Sequence, residues 1–162
     1  MYADMPREDK HFDRDLIQKR LIEFEGMVLH SYLCPAGFTT LGVGRNIDTN
    51  GVGITEEEAL FLLRNDIQRV INTLDKKWEI WRSFPLDAQY VCIDLVFNMG
   101  INTFMSFRKT RAYMELGEWE CAAEELLDSK YAKQVGRRAL FNADQLTKCQ
   151  KNHTNKKTQQ KD

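Results

Sequence analysis

Three residues of different chemistry stand close together near the start of this 162-residue chain: Glu25, Cys34 and Thr40. Eight residues separate the first two and five the second pair. A positioned carboxyl can donate a proton, an ionised thiol can act as base or nucleophile, and a hydroxyl can orient a water molecule. Their setting is the stretch FEGMVLHSYLCPAGFTTLGVGR, residues 24–45. Glu25-Gly26 closes a helical pattern, because glycine readily takes the conformation that stops a helix. Val28-Leu29-His30-Ser31-Tyr32-Leu33 suits a strand, Pro35-Ala36-Gly37 supplies turn chemistry, and Phe38-Thr39-Thr40-Leu41-Gly42-Val43 can return as the second strand of a hairpin. Gly42 and Gly44 carry no side chain, so backbone or ligand can approach closely there. The stretch therefore predicts a carboxyl at a helix end facing a small sheet that carries a thiol and a hydroxyl.

Glu, eight residues, Cys, five residues, Thr resembles the catalytic signature of the phage-type lysozymes, family 24 of the glycoside hydrolases. Asp is the commoner occupant of the middle position in that family, with Cys as the alternative. The flanking Glu25-Gly26, Tyr32 and Thr40-Leu41-Gly42-Val43-Gly44 are similar too, and the likeness continues to about residue 148. By themselves, a Glu at a helix end is usually a cap or an ion-pair partner, and a Thr on a strand is ordinary β-branched filler. The spacing together with its flanks reverses that reading.

The resemblance implies a predominantly helical α+β fold of lysozyme type. A small N-terminal lobe with a β-hairpin or sheet would be joined by a long helix to a larger helical lobe, with the cleft between them. It implies that Glu25 is the general acid, desolvated enough to hold a proton, and that Thr40 positions water or lines the floor of the site. Cys34 would serve as base, nucleophile or spectator. A free thiol, with a reference pKa of ~8.5, is mostly protonated at neutral pH and polarises water poorly. Tyr32, Gly42 and Arg45 would shape the cleft, although the family commonly has His or Asn near position 45. Phe97-Asn98-Met99-Gly100 resembles the stretch that lines the far wall, which makes Phe97 and Asn98 substrate-binding candidates. Gly136-Arg137-Arg138 resembles the family's GRR segment, but Ala139-Leu140-Phe141 stand where a Glu often follows.

The elements around this stretch follow from periodicity. Residues 1–11 read as a mobile polar leader, residues 12–147 as one bilobed domain, and residues 148–162 as a basic, unstructured tail. Leu16, Ile17, Leu21, Ile22 and Phe24 form an apolar stripe at helical spacing. Asn50-Gly51 marks a turn, and Thr55-Glu56-Glu57-Glu58 is a capping box that opens the next helix. A long pattern through Ile67, Val70, Ile71, Leu74 and Trp78 links the lobes, and Ser83-Phe84-Pro85 breaks it. The most apolar helix runs from Leu86 through Met99 to a stop at Gly100, with further helices expected at residues 104–116, 118–127 and 136–146.

Composition bounds the rest. Charged residues make up 29% and hydrophobic ones 43%, as in an ordinary globular domain. Cys34, Cys92, Cys121 and Cys149 show no metal-ligand spacing, so neither a metal nor a cofactor is expected, and Cys92 and Cys121 read as small buried hydrophobes. No run approaches a membrane span, and the polar start does not read as a signal peptide. The tail has five lysines against one aspartate in a chain of net charge −1, so the body is acidic and nucleic acid is not the expected partner. The resemblance implies bacterial peptidoglycan as substrate and a monomer held in the host cytoplasm until a separate export factor, such as a holin, admits it to the wall. Specifically it implies a muramidase cleaving the β-1,4 bond between N-acetylmuramic acid and N-acetylglucosamine, with a phage or prophage as the setting. The alternatives are a lytic transglycosylase and a catalytically weak wall-binding module of the same fold.

Overall fold

The computed structural model describes residues 13–159. The expected leader at residues 1–11 lies outside them. The chain is α+β and mostly helical: eight α-helices and one three-stranded antiparallel sheet among the described residues. It divides into two compact units, one ending at Ala59 and one beginning at Leu60, and helix α2 (Glu56–Lys77) runs across that boundary.

In the first unit, α1 (Arg14–Glu25) starts at Asp13, whose carboxylate accepts the Leu16 N–H at 3.0 Å. It stops at Gly26, whose φ of 73° takes the chain out of the helix after its N–H has bonded Ile22 O at 2.9 Å. Of the apolar stripe, Ile17 and Ile22 are half-buried, whereas Phe24 is 84% exposed. Strands β1 (Val28–Leu33), β2 (Thr39–Gly42) and β3 (Arg45–Asn46) follow in that spatial order. The expected hairpin is thus present, extended by a third short strand that periodicity could not show, because two residues carry no alternation. The capping box forms as read: Glu58 accepts the Thr55 N–H at 2.8 Å, and the Thr55 hydroxyl accepts the Glu58 N–H at 3.2 Å.

The second unit is built around α3 (Leu86–Met99), which buries Ala88, Val91, Cys92, Leu95 and Val96. Before it, a short 3-10 segment (Glu79–Ser83) carries Trp81, only 1% exposed. Fully burying a large apolar side chain stabilises a fold by about 1.5–3 kcal/mol, so the aromatic cluster here is a main source of cohesion. Trp78 meets Phe84 and Phe104 edge-on with ring centroids 5.3 and 5.5 Å apart. Its indole N–H, which could not be buried unpaired, donates to Glu115 at 2.6 Å.

Past Gly100 the structure departs from the helices read from periodicity. The single helix expected over residues 104–116 is two, α4 (Ile101–Ser106) and α5 (Arg108–Leu116), separated at Phe107. No Gly or Pro signals that break. The Arg111 guanidinium, donating to Met105 O at 3.0 Å, stabilises it from α5. After α6 (Trp119–Leu127), the unexpected short helix α7 (Lys130–Val135) is capped by Ser129, whose hydroxyl accepts the Ala132 N–H at 3.2 Å. Helix α8 (Arg137–Gln159) packs on α6 and α3. It continues as backbone helix well into the segment expected to lack structure, through residues such as Lys and Gln that favour helix. No helix among the described residues is long and apolar enough to cross a membrane.

Candidate active site

The first unit positions six of the eight residues singled out from sequence. Glu25, the last residue of α1, turns its carboxyl onto Gly44 between β2 and β3. A Cβ built on Gly44 would lie 3.1 Å from Glu25 Oε2. Gly44 also has φ of 68°, which L side chains rarely adopt. The glycine is required twice over, once by the backbone and once by the carboxyl resting on it. Gly42, with φ of 65°, has open space where a Cβ would sit, so only Gly44 realises the close approach expected of the pair.

Cys34 follows β1 at the hairpin turn. Its carbonyl accepts the Gly37 N–H at 2.8 Å, and its N–H donates to Phe38 O at 3.0 Å. Pro35 at the second turn position and Gly37, φ 84°, at the fourth suit this closed three-residue loop. The Phe38 N–H does most to hold the Cys34 thiol below its ordinary range. Partial desolvation opposes it, and the Ala36 N–H, Thr40 hydroxyl and Gly37 N–H reinforce it. Charge on the sulfur is thus stabilised by hydrogen-bond donors that a sequence pattern does not display.

The other cysteines behave oppositely. Burial pushes the Cys92 and Cys149 thiols up. It also pushes up half-buried Cys121, with the Glu118, Glu124 and Glu120 carboxylates adding to the effect. All four cysteines are free. A poised thiol is present only at position 34.

Thr40 is 3% exposed, and its hydroxyl donates to Phe38 O at 3.0 Å. Its one proton therefore has two acceptors at hand, that carbonyl and the Cys34 sulfur. Across the sheet Thr40 pairs with Tyr32 on one side and Asn46 on the other. Directly opposed residues share a face, so Tyr32, Thr40 and Asn46 form one row. Arg45 pairs with Leu41 in the ladder and is engaged by Glu58 in an ion pair. The Glu58 carboxyl is held below its ordinary range first by the Thr55 N–H and then by Arg45. The same carboxylate thus completes the capping box and ties β3 to the start of α2, a double role invisible in the local motif.

In the second unit, Phe97 is 44% exposed and lines an apolar cavity of about 410 Å³ with Leu63, Ile67, Tyr90 and Phe141. Asn98, beside it on α3, is exposed. At the polar end of the cavity Arg138 clasps Asp94, Nη2 to Oδ1 at 2.6 Å and Nε to Oδ2 at 2.9 Å, and Asn142 donates to Oδ2 at 2.7 Å. Burial pushes the Asp94 carboxyl up, but Arg138 and Asn142 outweigh it and hold the group below its ordinary range. The Arg138 partner missing from residues 139–141 is thus supplied by a carboxylate 44 positions earlier, which no local pattern could reveal.

The close approach at Gly44 carries a prediction. Gly44→Ala should place a methyl against the Glu25 carboxyl and a side chain in the left-handed region, which costs about 1–2 kcal/mol. On the acid role that the resemblance implies for Glu25, hydrolysis of purified walls should fall by about tenfold or more, since small misplacements of such a group are expensive. Gly53→Ala is the comparison, because Gly53 has φ of 60° but nothing within 4 Å. It should share the lowered melting temperature without the matching loss of turnover. Equal activity losses in the two variants would mean that backbone strain alone is at work.

A family model described as Phage lysozyme matches residues 22–152. An endolysin of Acyrthosiphon pisum secondary endosymbiont phage 1 is 35% identical over 118 residues, which cover 71% of this chain and 77% of that protein. The pre-baseplate central spike protein Gp5 of Enterobacteria phage T4 is 32% identical over 100 residues, covering 60% of this chain but 17% of that protein.

Proposed function

We propose, for a chain that belongs to the phage lysozyme family and is a glycoside hydrolase, that it cleaves the β-1,4 bond between N-acetylmuramic acid and N-acetylglucosamine in bacterial peptidoglycan. The observation that supports this reading is a carboxyl and a poised thiol set against the same small sheet. Glu25 rests on the turn between β2 and β3, Cys34 stands at the turn between β1 and β2, and Thr40 lies on β2. Breaking a glycosidic bond requires a proton for the departing oxygen and a second group to assist the charge that grows at the sugar carbon. Glu25 donates the proton. Cys34, as thiolate, either removes a proton from the attacking water or attacks the sugar carbon as the glycosidic bond breaks, in which case water then cleaves the carbon–sulfur bond, yields its proton to Glu25 and releases the thiolate. The Thr40 hydroxyl can turn from Phe38 O toward sulfur or water and so holds the nucleophile in line. Tyr32, Gly42 and Arg45 bound the sugar from the sheet, and the resemblance carries Phe97 and Asn98, on the second unit, as further substrate-binding candidates.

The likeness to a phage endolysin supports a role in lysis of the host; on the proposed reading the chain acts as a monomer on the wall after a holin-type factor admits it. Mass spectrometry of products from purified peptidoglycan tests the bond and the reaction together. Reducing-end N-acetylmuramic acid, one water heavier than the 1,6-anhydro form, is the expected product. Anhydro ends would instead mean a transglycosylase, and wall binding without release of fragments would mean a binding module.

A further inference from the structure

The donors around Cys34 are themselves held in place by a residue outside the catalytic signature. Thr39, between Phe38 and Thr40, gives its N–H to Asp48 Oδ2 at 2.8 Å, while its carbonyl accepts the Ile47 N–H at 2.9 Å. Phe38 on one side of it supplies both the N–H that does most to lower the thiol and the carbonyl that takes the Thr40 hydroxyl; Thr40 stands on the other. Asp48 is braced in turn. Its N–H donates to Asn46 Oδ1 at 2.9 Å, an Asx turn, and its carbonyl accepts the Gly51 N–H at 2.7 Å. Gly51 is obligatory, because a Cβ there would lie 2.6 Å from Asn46 O. The loop of residues 46–51 is thus rigid against one acceptor, and that acceptor points at β2.

We infer that Asp48 is a positioning residue: by holding the Thr39 N–H, its carboxylate fixes the flanking Phe38, whose carbonyl accepts both the Cys34 N–H and the Thr40 hydroxyl at 3.0 Å, and so sets the turn on which the Cys34 thiol stands. The groups that hold this thiol below its ordinary range are backbone N–H groups and one hydroxyl, acting against desolvation. Its reactivity therefore depends on where that backbone stands. Asp48 bonds the Thr39 N–H of β2 and acts on the thiol through that strand. The consequence for turnover rests on the proposed role of Cys34, but the consequence for the thiol does not.

The test reads the thiol directly in the full chain without substrate. Iodoacetamide labelling of Cys34, followed peptide by peptide with mass spectrometry between pH 6 and pH 10, separates it from the three other cysteines. Asp48→Ala should slow labelling near neutrality by roughly threefold to tenfold, because less of the thiol is ionised there, and should move the pH profile upward. Asp48→Asn keeps an acceptor for Thr39 and should return most of the rate. On walls, kcat should fall in Asp48→Ala with KM little changed. A wild-type labelling profile in Asp48→Ala would overturn the inference, and so would an Asp48→Asn as slow as the alanine variant. Should Asp48→Ala not fold, Asn46→Ala removes the brace of Asp48 and should shift labelling in the same direction, no shift again counting against the inference. If labelling responds as expected but wild-type protein releases no muropeptides, the proposed function fails and the positioning role stands.

Discussion

Glu25→Gln is expected to reduce hydrolysis of purified peptidoglycan by ~10²–10⁴-fold, the contribution of a positioned general acid, while binding to walls and thermal stability stay close to wild type. The amide is nearly the same shape as the carboxyl, so it can rest against Gly44 as Oε2 does, but it has no acidic proton to give the leaving oxygen. The fold loses little. Glu25 is exposed, it ends α1, and the helix terminates through Gly26 and its bond to Ile22 O and not through the Glu25 side chain. A turbidity assay on purified walls and a pelleting assay on the same preparation separate chemistry from binding. Near-wild-type clearing by the glutamine variant would remove Glu25 from the mechanism.

Replacements of Cys34 should rank by their capacity to carry negative charge at the turn. Cys34→Asp places an ionised carboxylate among the N–H groups of Phe38, Ala36 and Gly37 and should stay active. Cys34→Ser should be weaker, since a hydroxyl ionises far less readily than a thiol, and Cys34→Ala weakest, by about 10²-fold or more if the group acts as base. The pH dependence follows from the lowered Cys34 titration. The thiolate accumulates as pH rises through that lowered value and is lost as pH falls through it, whereas the aspartate is already ionised at mildly acidic pH. The advantage of Cys34→Asp over wild type should therefore be largest at acidic pH and narrow as pH rises. Alkylation should silence the wild type and spare Cys34→Asp, because Cys92 and Cys149 are buried and Cys121 is pushed toward its neutral form. Wall cleavage by Cys34→Ala at the wild-type rate would show that the thiol only fills space, leaving Glu25 and Thr40 to carry the reaction.

What the chain determines locally was legible from its residues. Gly26 and Gly100 end helices because positive φ suits glycine, with values of 73° and 79°. The capping box at residues 55–58 forms because its partners lie three positions apart, and the Pro35-Ala36-Gly37 turn needs only its own residues. Each of these interactions closes within a few residues, so the pattern contains all the physics. The triple proposed as catalytic, Glu25, Cys34 and Thr40, was singled out for a different reason: its spacing resembles a known signature.

Tertiary structure decided everything that depends on groups far apart in sequence. Whether Cys34 is an inert or a poised thiol could not be read from its identity. That depends on how the chain from Ala36 to Thr40 folds back over the sulfur, and on Asp48 holding Thr39 nine residues away. Arg45 carries the same name whether it is free or engaged by Glu58, thirteen residues on. Arg138 seemed to lack its acid until α3 and α8 packed and brought Asp94 beside it. The Phe107 break gives no local sign because Arg111 caps it from the following helix. Hydrogen bonds and charges act through space at a few ångströms, and only the folded chain sets which groups come within that range.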